Sequence, residues 1–371
     1  MKVIILRSNL KESLAVVEKA VSDTSNLPIL KNVLFKTFNN KIKICATNLN
    51  VAVTKLTSAK IIEEGGITVP FSTFYSLVNN SGNERILIET EKNNLVFKTD
   101  NYSAKIQGVD QEDFPIIPKI SSEDNFIEVP GGIFKEAIYK VLNAAHISEI
   151  RPEISGVLMD FQMTMIKFVA TDAFRLAHKT INNNQFNSNF PYGFKAIIPL
   201  RTISEVVKIF PENQPIKIYV DNNQILFRSE DTELISRLIE GDYPDYDQII
   251  PKSTDTEITV NKDQLVNAVK LASNFSGQTN DIKIKIDSGK KVMEVYSANQ
   301  YLGENNYLIP IKLKGEHFEE IAFNWHYFLD GLKVVDHENL VFGVNKNNKP
   351  SMIKHPEDGS YFYILMPIKT V

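Results

Sequence analysis

The sequence predicts an α+β protein made of three similar domains, each with antiparallel sheets and two helices. The segment around Ala170-Thr171-Asp172 recurs in altered form, since Ala46-Thr47 lies 124 positions earlier and Asn299 stands where a third copy is expected. Polar and apolar residues alternate in many short runs, as in half-buried strands. A period near ~125 residues is far too long for a solenoid repeat, so the units are domains.

Composition sets limits on the class of protein. The chain has 371 residues, 43% hydrophobic and 23% charged, which is enough for two or three globular domains. No run of about 18 apolar residues is present, and the first residues become polar too early for a signal peptide, so we expect a cytoplasmic protein. Cys45 has no disulfide partner and is expected to be a buried thiol. The formal net charge of -4 leaves room only for a locally basic surface.

Each third opens with a short strand and an amphipathic helix. In the first, Leu10, Leu14 and Val17 follow helical spacing after a strand at residues 3–6. The same pattern returns from Phe134, and again from Leu265, where Asn261 is the expected N-cap.

Strands and a second helix follow in each third. Pro28 and Pro152 stand in matching segments 124 positions apart, where we expect strands to begin. The second helices are expected after Pro70, Pro199 and Asn324, and hairpins then close each third. Two helices can cover only one face of the sheets, so the other face should meet solvent.

Polar stretches mark the expected boundaries between domains. Proline-containing segments lead into them after residues 118 and 251. We therefore expect domains at 1–122, 126–251 and 255–371.

The sequence contains no motif for catalysis or metal binding. A Gly-rich phosphate loop, His-Glu-x-x-His, Cys-x-x-Cys and Gly-x-Ser-x-Gly are all missing, and the six histidines have no metal spacing. Thr171, Asp172 and Arg175 offer an acid and a cation, but the related Thr47-Asn48 lacks the carboxylate. This difference favours a structural turn to which the middle copy has added something.

Lysines on the predicted helices are the remaining clue. Lys11, Lys135 and Lys140 are interleaved with acids, so charge alone favours an ordinary solvated helix face. If the helices of all domains lined one channel, however, these lysines would meet a duplex that carries one charge every ~1.7 Å.

A set of motifs spread over all three thirds resembles the bacterial sliding clamp family, the β subunit of DNA polymerase III. The matching pieces are Leu27-Pro28-Ile29-Leu30, Arg151-Pro152, Thr171-Asp172-Ala173-Phe174-Arg175-Leu176-Ala177, Gly241-Asp242-Tyr243-Pro244-Asp245-Tyr246, Phe323-Asn324 and Met366-Pro367-Ile368. The resemblance implies a DNA clamp fold and a head-to-tail homodimer that closes a ring around duplex DNA without regard to sequence. It implies neither catalysis nor a cofactor or metal. Its partners would be the polymerase III catalytic subunit, the clamp loader and other proteins with a clamp-binding motif.

The resemblance also implies an apolar pocket that binds short linear motifs between the second and third domains. Ala173-Phe174 depart from the glycine and polar or aromatic residue usual in the family, and Gln248 replaces a frequent basic residue. The positions carried over are Ile154, Thr171, Ala173, Phe174, Arg175, Leu176, Pro244, Gln248, Ile249, Asn324, Tyr327, Ile364, Met366, Pro367 and Ile368.

Two further surfaces are expected. The DNA-facing positions are Arg201, Ser148 and Thr24 by resemblance, and Lys11, Lys135 and Lys140 by their place on the helices. The dimer interface is expected at Ala104, Ile106, Asn274 and Phe275.

Two other classes of protein remain as alternatives. One is a β-rich interaction scaffold that does not encircle DNA, and the other is an enzyme centred on Thr171, Asp172 and Arg175. The motif set favours the clamp over both.

Overall fold

The three thirds of the chain contain the same succession of elements. The computed structural model describes residues 1–22, 26–287, 291–346 and 349–368. Within these ranges each third has one strand, a helix, five strands, a second helix and three strands. This confirms the predicted α+β class and its threefold repeat.

The elements of the first third run from β1 to β9 and include α1 and α2. They are β1 Lys2–Leu6, α1 Arg7–Val17, β2 Asn32–Phe38, β3 Lys41–Thr47, β4 Val51–Ser58, β5 Lys60–Glu63, β6 Gly66–Pro70, α2 Phe71–Asn80, β7 Arg85–Glu91, β8 Asn94–Lys98 and β9 Ser103–Gln107.

The middle third continues from β10 to β18 with α3 and α4. They are β10 Ile127–Pro130, α3 Gly131–Leu142, β11 Gly156–Phe161, β12 Met165–Thr171, β13 Arg175–Asn182, β14 Asn187–Ser188, β15 Phe194–Pro199, α4 Leu200–Ile209, β16 Pro215–Val220, β17 Gln224–Arg228 and β18 Thr232–Arg237.

The last third completes the series with α5 and α6. They are β19 Thr256–Asn261, α5 Lys262–Ser273, β20 Asp281–Asp287, β21 Val292–Asn299, β22 Gly303–Pro310, β23 Lys312–Gly315, β24 Ile321–Asn324, α6 Trp325–Lys333, β25 Asn339–Val344, β26 Ser351–Lys354 and β27 Tyr361–Leu365.

The chain divides into two compact units, because the strands of the middle third belong to two different sheets. One unit holds residues 1–132, 186–190 and 204–238, with a five-stranded sheet in the order β5-β1-β7-β8-β9 and a nine-stranded sheet in the order β14-β10-β16-β17-β18-β4-β3-β2-β6. The nine-stranded sheet is continuous because β18 pairs antiparallel with β4, and we call this pairing the first seam.

The other unit holds residues 133–185, 191–203 and 239–371. Its nine-stranded sheet has the order β15-β11-β12-β13-β27-β26-β25-β19-β23, and its four-stranded sheet the order β22-β21-β20-β24. Here β13 pairs antiparallel with β27, which we call the second seam. Each third thus contributes one set of five strands and one set of four.

The helices pack on the sheets through the apolar faces that the sequence predicts. Leu10, Leu14 and Val17 of α1 are fully buried, and Asn261 caps α5 by accepting a hydrogen bond from the Gln264 N–H. None of the described helices is long and apolar enough to cross a bilayer.

Both prolines expected at strand starts lie slightly earlier. Pro28 and Pro152 each begin a short 3-10 turn, and the strands start at Asn32 and Gly156. A proline has no N–H to donate, which suits the first residue of such a turn.

Candidate functional site

The motif that defines the repeat is the tight turn between β12 and β13. The Thr171 hydroxyl donates to the Arg175 carbonyl at 2.6 Å, and the Asp172 carboxylate accepts the N–H groups of Phe174 and Arg175, both at 3.0 Å. Ala173 has a φ of +75°, in the left-handed region that glycine adopts most easily. This explains why glycine suits this position and why alanine strains it.

The turn between β3 and β4 repeats these hydrogen bonds. The Thr47 hydroxyl donates to the Val51 carbonyl at 3.0 Å, the Asn48 side chain accepts the N–H groups of Asn50 and Val51, and Leu49 has a φ of +72°. An asparagine does here what Asp172 does in the second turn. The shared role of Asp172 is therefore to hold the turn, and its carboxylate is occupied, which argues against the enzyme hypothesis.

The middle copy adds an arginine to the turn. Arg175 Nε donates to Asp172 at 2.9 Å and Nη1 to Asp330 of α6 at 2.5 Å, while the guanidinium carbon lies 4.4 Å from the centre of the Tyr327 ring. Burial would lower the pKa of Arg175, but Tyr363, Asp330 and Asp172 outweigh it and the pKa is raised. Arg175 is thus a fixed cation that ties the turn to α6.

The predicted pocket residues form an apolar surface above a buried floor. Phe174, Ile249 and Met366 are 60%, 44% and 37% exposed, and the Phe174 ring lies 6.4 Å from that of Tyr327 at an angle of 22°. Ile154, Leu176 and Ile364 are buried, and the last two share a cluster with Leu158, Val169, Ile197 and Tyr246. These three therefore support the surface from below.

The other predicted pocket residues lie on the same unit. The Asn324 side chain caps α6 by accepting N–H groups of His326 and Tyr327, so its oxygen already has partners. Gln248 is exposed and donates to Asp245 at 2.8 Å. Half-buried positions complete the set, namely Pro244, Pro367 and Ile368.

His178 lies beside this surface on β13 as a core histidine. Its ring stacks on Phe362 with centroids 4.5 Å apart at 9°. Burial, followed by the charge of Lys167, lowers the pKa of His178 to about 4. The ring is therefore neutral at physiological pH and packs as an aromatic group.

The predicted DNA-facing residues differ in how free their charges are. Arg201, Lys11 and Lys135 form no ion pair within the part of the chain that the structure describes, and the first two are exposed. Lys140 pairs with Glu136 at 2.7 Å, and only 14% of its side chain is exposed. Ser148 is engaged in a local turn through the Arg151 N–H, and Thr24 lies outside the described residues.

The predicted interface residues lie at or near two strands at sheet edges. Ile106 is 6% exposed and Ala104 half-buried, both on β9. Asn274 donates to the end of α5, and the ring of Phe275 lies close to Gly303, the first residue of β22.

Two partners in the site carry no recognisable signal in the sequence. Asp330 and Tyr363 were not among the predicted residues, although one neutralises Arg175 and the hydroxyl of the other donates to the Tyr327 carbonyl at 2.9 Å. Asp330 lies on α6 and Tyr363 on β27, and the sequence does not show that these two elements come together beside Arg175. Among the described residues no cluster of three or more His, Cys, Asp or Glu could hold a metal ion.

A threefold repeat of one set of five strands and one set of four, with two helices each, defines a protein of the DNA clamp class. Family models of the DNA polymerase III beta subunit match the N-terminal domain at residues 1–118, the central domain at 128–245 and the C-terminal domain at 247–369. The chain therefore belongs to the DNA polymerase III beta subunit family.

Individual relatives are similar to this chain over all or nearly all of its length. The chain is 25% identical to the beta sliding clamp of Chlamydia pneumoniae over 374 residues, covering 100% of this chain and 99% of that protein. It is 27% identical to the beta sliding clamp of Streptococcus pneumoniae, covering 97% of each. The crystal structure of the DNA polymerase sliding clamp from Bacillus subtilis superposes with a TM-score of 0.94 at 25% identity, covering 100% of both chains.

Family membership confirms the predicted resemblance and the predicted class of function. The protein is a processivity factor of the sliding clamp type and not an enzyme, and a scaffold unrelated to DNA is not favoured. The individual pocket, DNA and interface residues stay predictions.

Proposed function

We propose that two copies of this chain close head to tail into a ring that encircles duplex DNA and tethers DNA polymerase III in the cytoplasm. The three domains at 1–122, 126–251 and 255–371 would supply six domains to the ring. The clamp loader and other motif-bearing proteins would share the surface around Phe174 and Met366.

The observation that carries this proposal is a pair of sheet edges that break the repeat. In the first two thirds, an edge strand of the four-stranded set (β4 or β13) pairs with an edge strand of the next five-stranded set (β18 or β27). In the described sheets, the corresponding strands β22 and β9 have a neighbour on one side only. A second copy of the chain offers each of them the missing partner.

The two seams define the register that this third seam would take. At the first seam Ile235 lies opposite Ala52, and at the second Ile364 lies opposite Leu176. These pairs are equivalent, because Ala52 and Leu176 are 124 positions apart and each follows its turn by the same number of residues.

Turn hydrogen bonds align β9 with β18. The Thr99 N–H donates to the Tyr102 carbonyl at 2.8 Å, as the Ser229 N–H does to the Thr232 carbonyl at 2.9 Å. Lys105 on β9 therefore takes the place of Ile235.

The turn after β21 aligns β22 with β4. Asn299 accepts the Tyr301 N–H as Asn48 accepts that of Asn50, and Ala298 pairs with Glu304 as Thr47 pairs with Ala52. Glu304 therefore takes the place of Ala52, opposite Lys105 of the second copy.

Side-chain direction agrees with this register. Lys105 and Glu304 are exposed, whereas their neighbours Ile106 and Asn305 are buried and half-buried on the opposite face. Opposite charges directly across antiparallel strands stabilise the pair.

The change from apolar to charged residues also has a physical reason. At the first seam, Ala52 and Ile235 are covered by Ile117, Ile120 and Phe126 of the segment between β9 and β10, residues 108–126, which we call the connecting segment. Lys105 and Glu304 are exposed to solvent, so this face suits a polar pair.

DNA contact is proposed to come mainly from Arg201, with Lys11 and Lys135. Removal of one phosphate contact makes the negative slope of log K against log salt shallower by ~0.9. We expect Arg201→Ala to show this change. Lys140→Ala is the matched control and should change the slope less, because Lys140 is already paired with Glu136.

Encirclement is tested by topology. Protein dissociated by dilution is allowed to reassemble on nicked circular duplex, and bound protein is followed by gel filtration after excess competitor DNA is added. We expect retention on the circle and release when a restriction enzyme linearises it. Equal retention on circular and linear DNA would support ordinary DNA binding, and retention on neither would support a scaffold.

A further inference from the structure

The first seam carries a cavity at the position equivalent to the proposed motif surface of the second seam. Its volume is about 240 Å³. The turn from Thr47 to Ala52 forms one wall, Ile116 and Pro118 of the connecting segment form another, and Arg237 at the end of β18 lies at the third. All of these residues belong to one compact unit.

Backbone hydrogen bonds show that the two places correspond. The Arg237 N–H donates to the Asn50 carbonyl at 3.0 Å, and the Met366 N–H donates to the Phe174 carbonyl at 2.9 Å. Two residues further along each chain segment, the Ile239 N–H donates to the Ile197 carbonyl, and the Ile368 N–H donates to the Ala322 carbonyl. The chain that follows each seam therefore crosses its turn in the same way.

The wall of this cavity presents apolar side chains to solvent. Leu49 is 49% exposed and Ile116 is 96% exposed, although both are large aliphatic residues. Beneath them lie Ala52 and Ile235, which are buried in the cluster under the connecting segment. An aliphatic side chain that entered the cavity would remove apolar area from water on several sides.

The charge of the cavity differs from that of the second seam. At the first seam, Arg237 occupies the position that Met366 has at the second seam. Arg237 is exposed, and its guanidinium forms no ion pair or side-chain hydrogen bond among the described residues. By contrast, Arg175 at the second seam is neutralised by Asp172 and Asp330. A carboxylate is the ligand that an unpaired guanidinium binds best.

We propose that the first seam is a second docking site for linear peptides, specific for an extended segment with an aliphatic anchor next to an acidic residue. The proposal rests on the proposed function, because it extends peptide docking from the second seam to its repeat. The aliphatic anchor fills the cavity between Leu49 and Ile116, and the carboxylate pairs with Arg237. Each copy of the chain in the ring then carries two docking sites, one at each seam, which prefer peptides of different charge.

The test uses a displayed library of random 12-residue peptides selected on the full-length dimer. Each selected clone is measured again on Arg237→Glu, on Ile116→Asp and on Met366→Asp. We expect a class of clones rich in Asp or Glu and in Leu or Ile whose affinity falls about tenfold or more on the first two variants and stays unchanged on the third. Arg237→Lys should retain most of the affinity, since the positive charge remains.

The outcomes separate this proposal from the one on which it rests. If the affinity of some clones falls with Met366→Asp but that of none falls with Arg237→Glu, the docking site at the first seam is overturned and peptide docking at the second seam is supported. If each clone loses affinity equally with Met366→Asp and Arg237→Glu, all peptides bind one and the same site, which would also overturn a separate docking site at the first seam. If no clone responds to Met366→Asp, peptide docking at the second seam fails, whatever Arg237 does. A change of sedimentation with Arg237→Glu would show that another copy of the chain occupies the cavity, and would overturn a peptide ligand.

Discussion

Charge reversal at the proposed third seam gives the sharpest prediction. Lys105→Glu or Glu304→Lys would place like charges directly opposite each other on adjacent strands. A cross-strand ion pair contributes ~0.2–1 kcal/mol, and a like-charge pair costs a similar amount, so reversal costs ~0.4–2 kcal/mol at one seam. A head-to-tail dimer has two such seams, which gives ~0.8–4 kcal/mol in all. We therefore expect the dimer dissociation constant to rise ~4-fold to ~1000-fold at low salt.

The assay is sedimentation velocity over a dilution series of each variant and of the double variant. Lys105→Glu with Glu304→Lys restores the pair with its charges exchanged and should recover most of the affinity. Lys105 also pairs with Glu91 of its own chain at 2.8 Å, so Glu91→Gln is the control for loss of that contact. In ~1 M salt the Debye length falls to ~3 Å and the difference between variants should shrink.

The reasoning would be refuted by either of two results. Single reversals that leave the dissociation constant unchanged would show that the two residues do not face each other. A double variant as weak as the two single effects combined would show the same, because independent sites add whereas a direct pair compensates.

Three further predictions follow from the unit that holds the second seam. His178 has a pKa lowered to about 4 from 6.5, so the unfolded chain binds a proton in that range and the folded chain does not. Stability should fall as the pH drops from 6.5 to 4, by ~2 kcal/mol at pH 5, and His178→Gln should remove that part of the pH dependence in urea unfolding curves. Gly331→Ala should lower the free energy of unfolding by ~1–3 kcal/mol, because the added Cβ would lie 2.5 Å from the Tyr363 ring, whereas the control Gly82→Ala meets no atom within 4 Å. Phe174→Asp should weaken binding of the polymerase III catalytic subunit by about tenfold or more in a titration and leave the melting temperature nearly unchanged, since Phe174 is 60% exposed.

Local patterns were enough to find the repeat and the elements. The copies around Asn48 and Asp172 share hydrogen bonds because Asn and Asp offer the same oxygen to the backbone two and three residues later. That similarity is chemical and local, so it is visible in the residues themselves. The left-handed φ of Ala173 follows from the same turn, but alanine gives no sign of it.

The spacing of residues in the sequence could not predict which strands pair across the seams. Three similar α+β domains, buried helix faces and a buried thiol at Cys45 could be predicted from the residues alone, because these follow from periodicity and side-chain chemistry. The folded chain was needed to show that β4 pairs with β18, that Asp330 neutralises Arg175 and that Arg237 takes the position that Met366 has at the second seam. Such contacts join residues more than a hundred positions apart, and their register depends on how strands of different domains pack together.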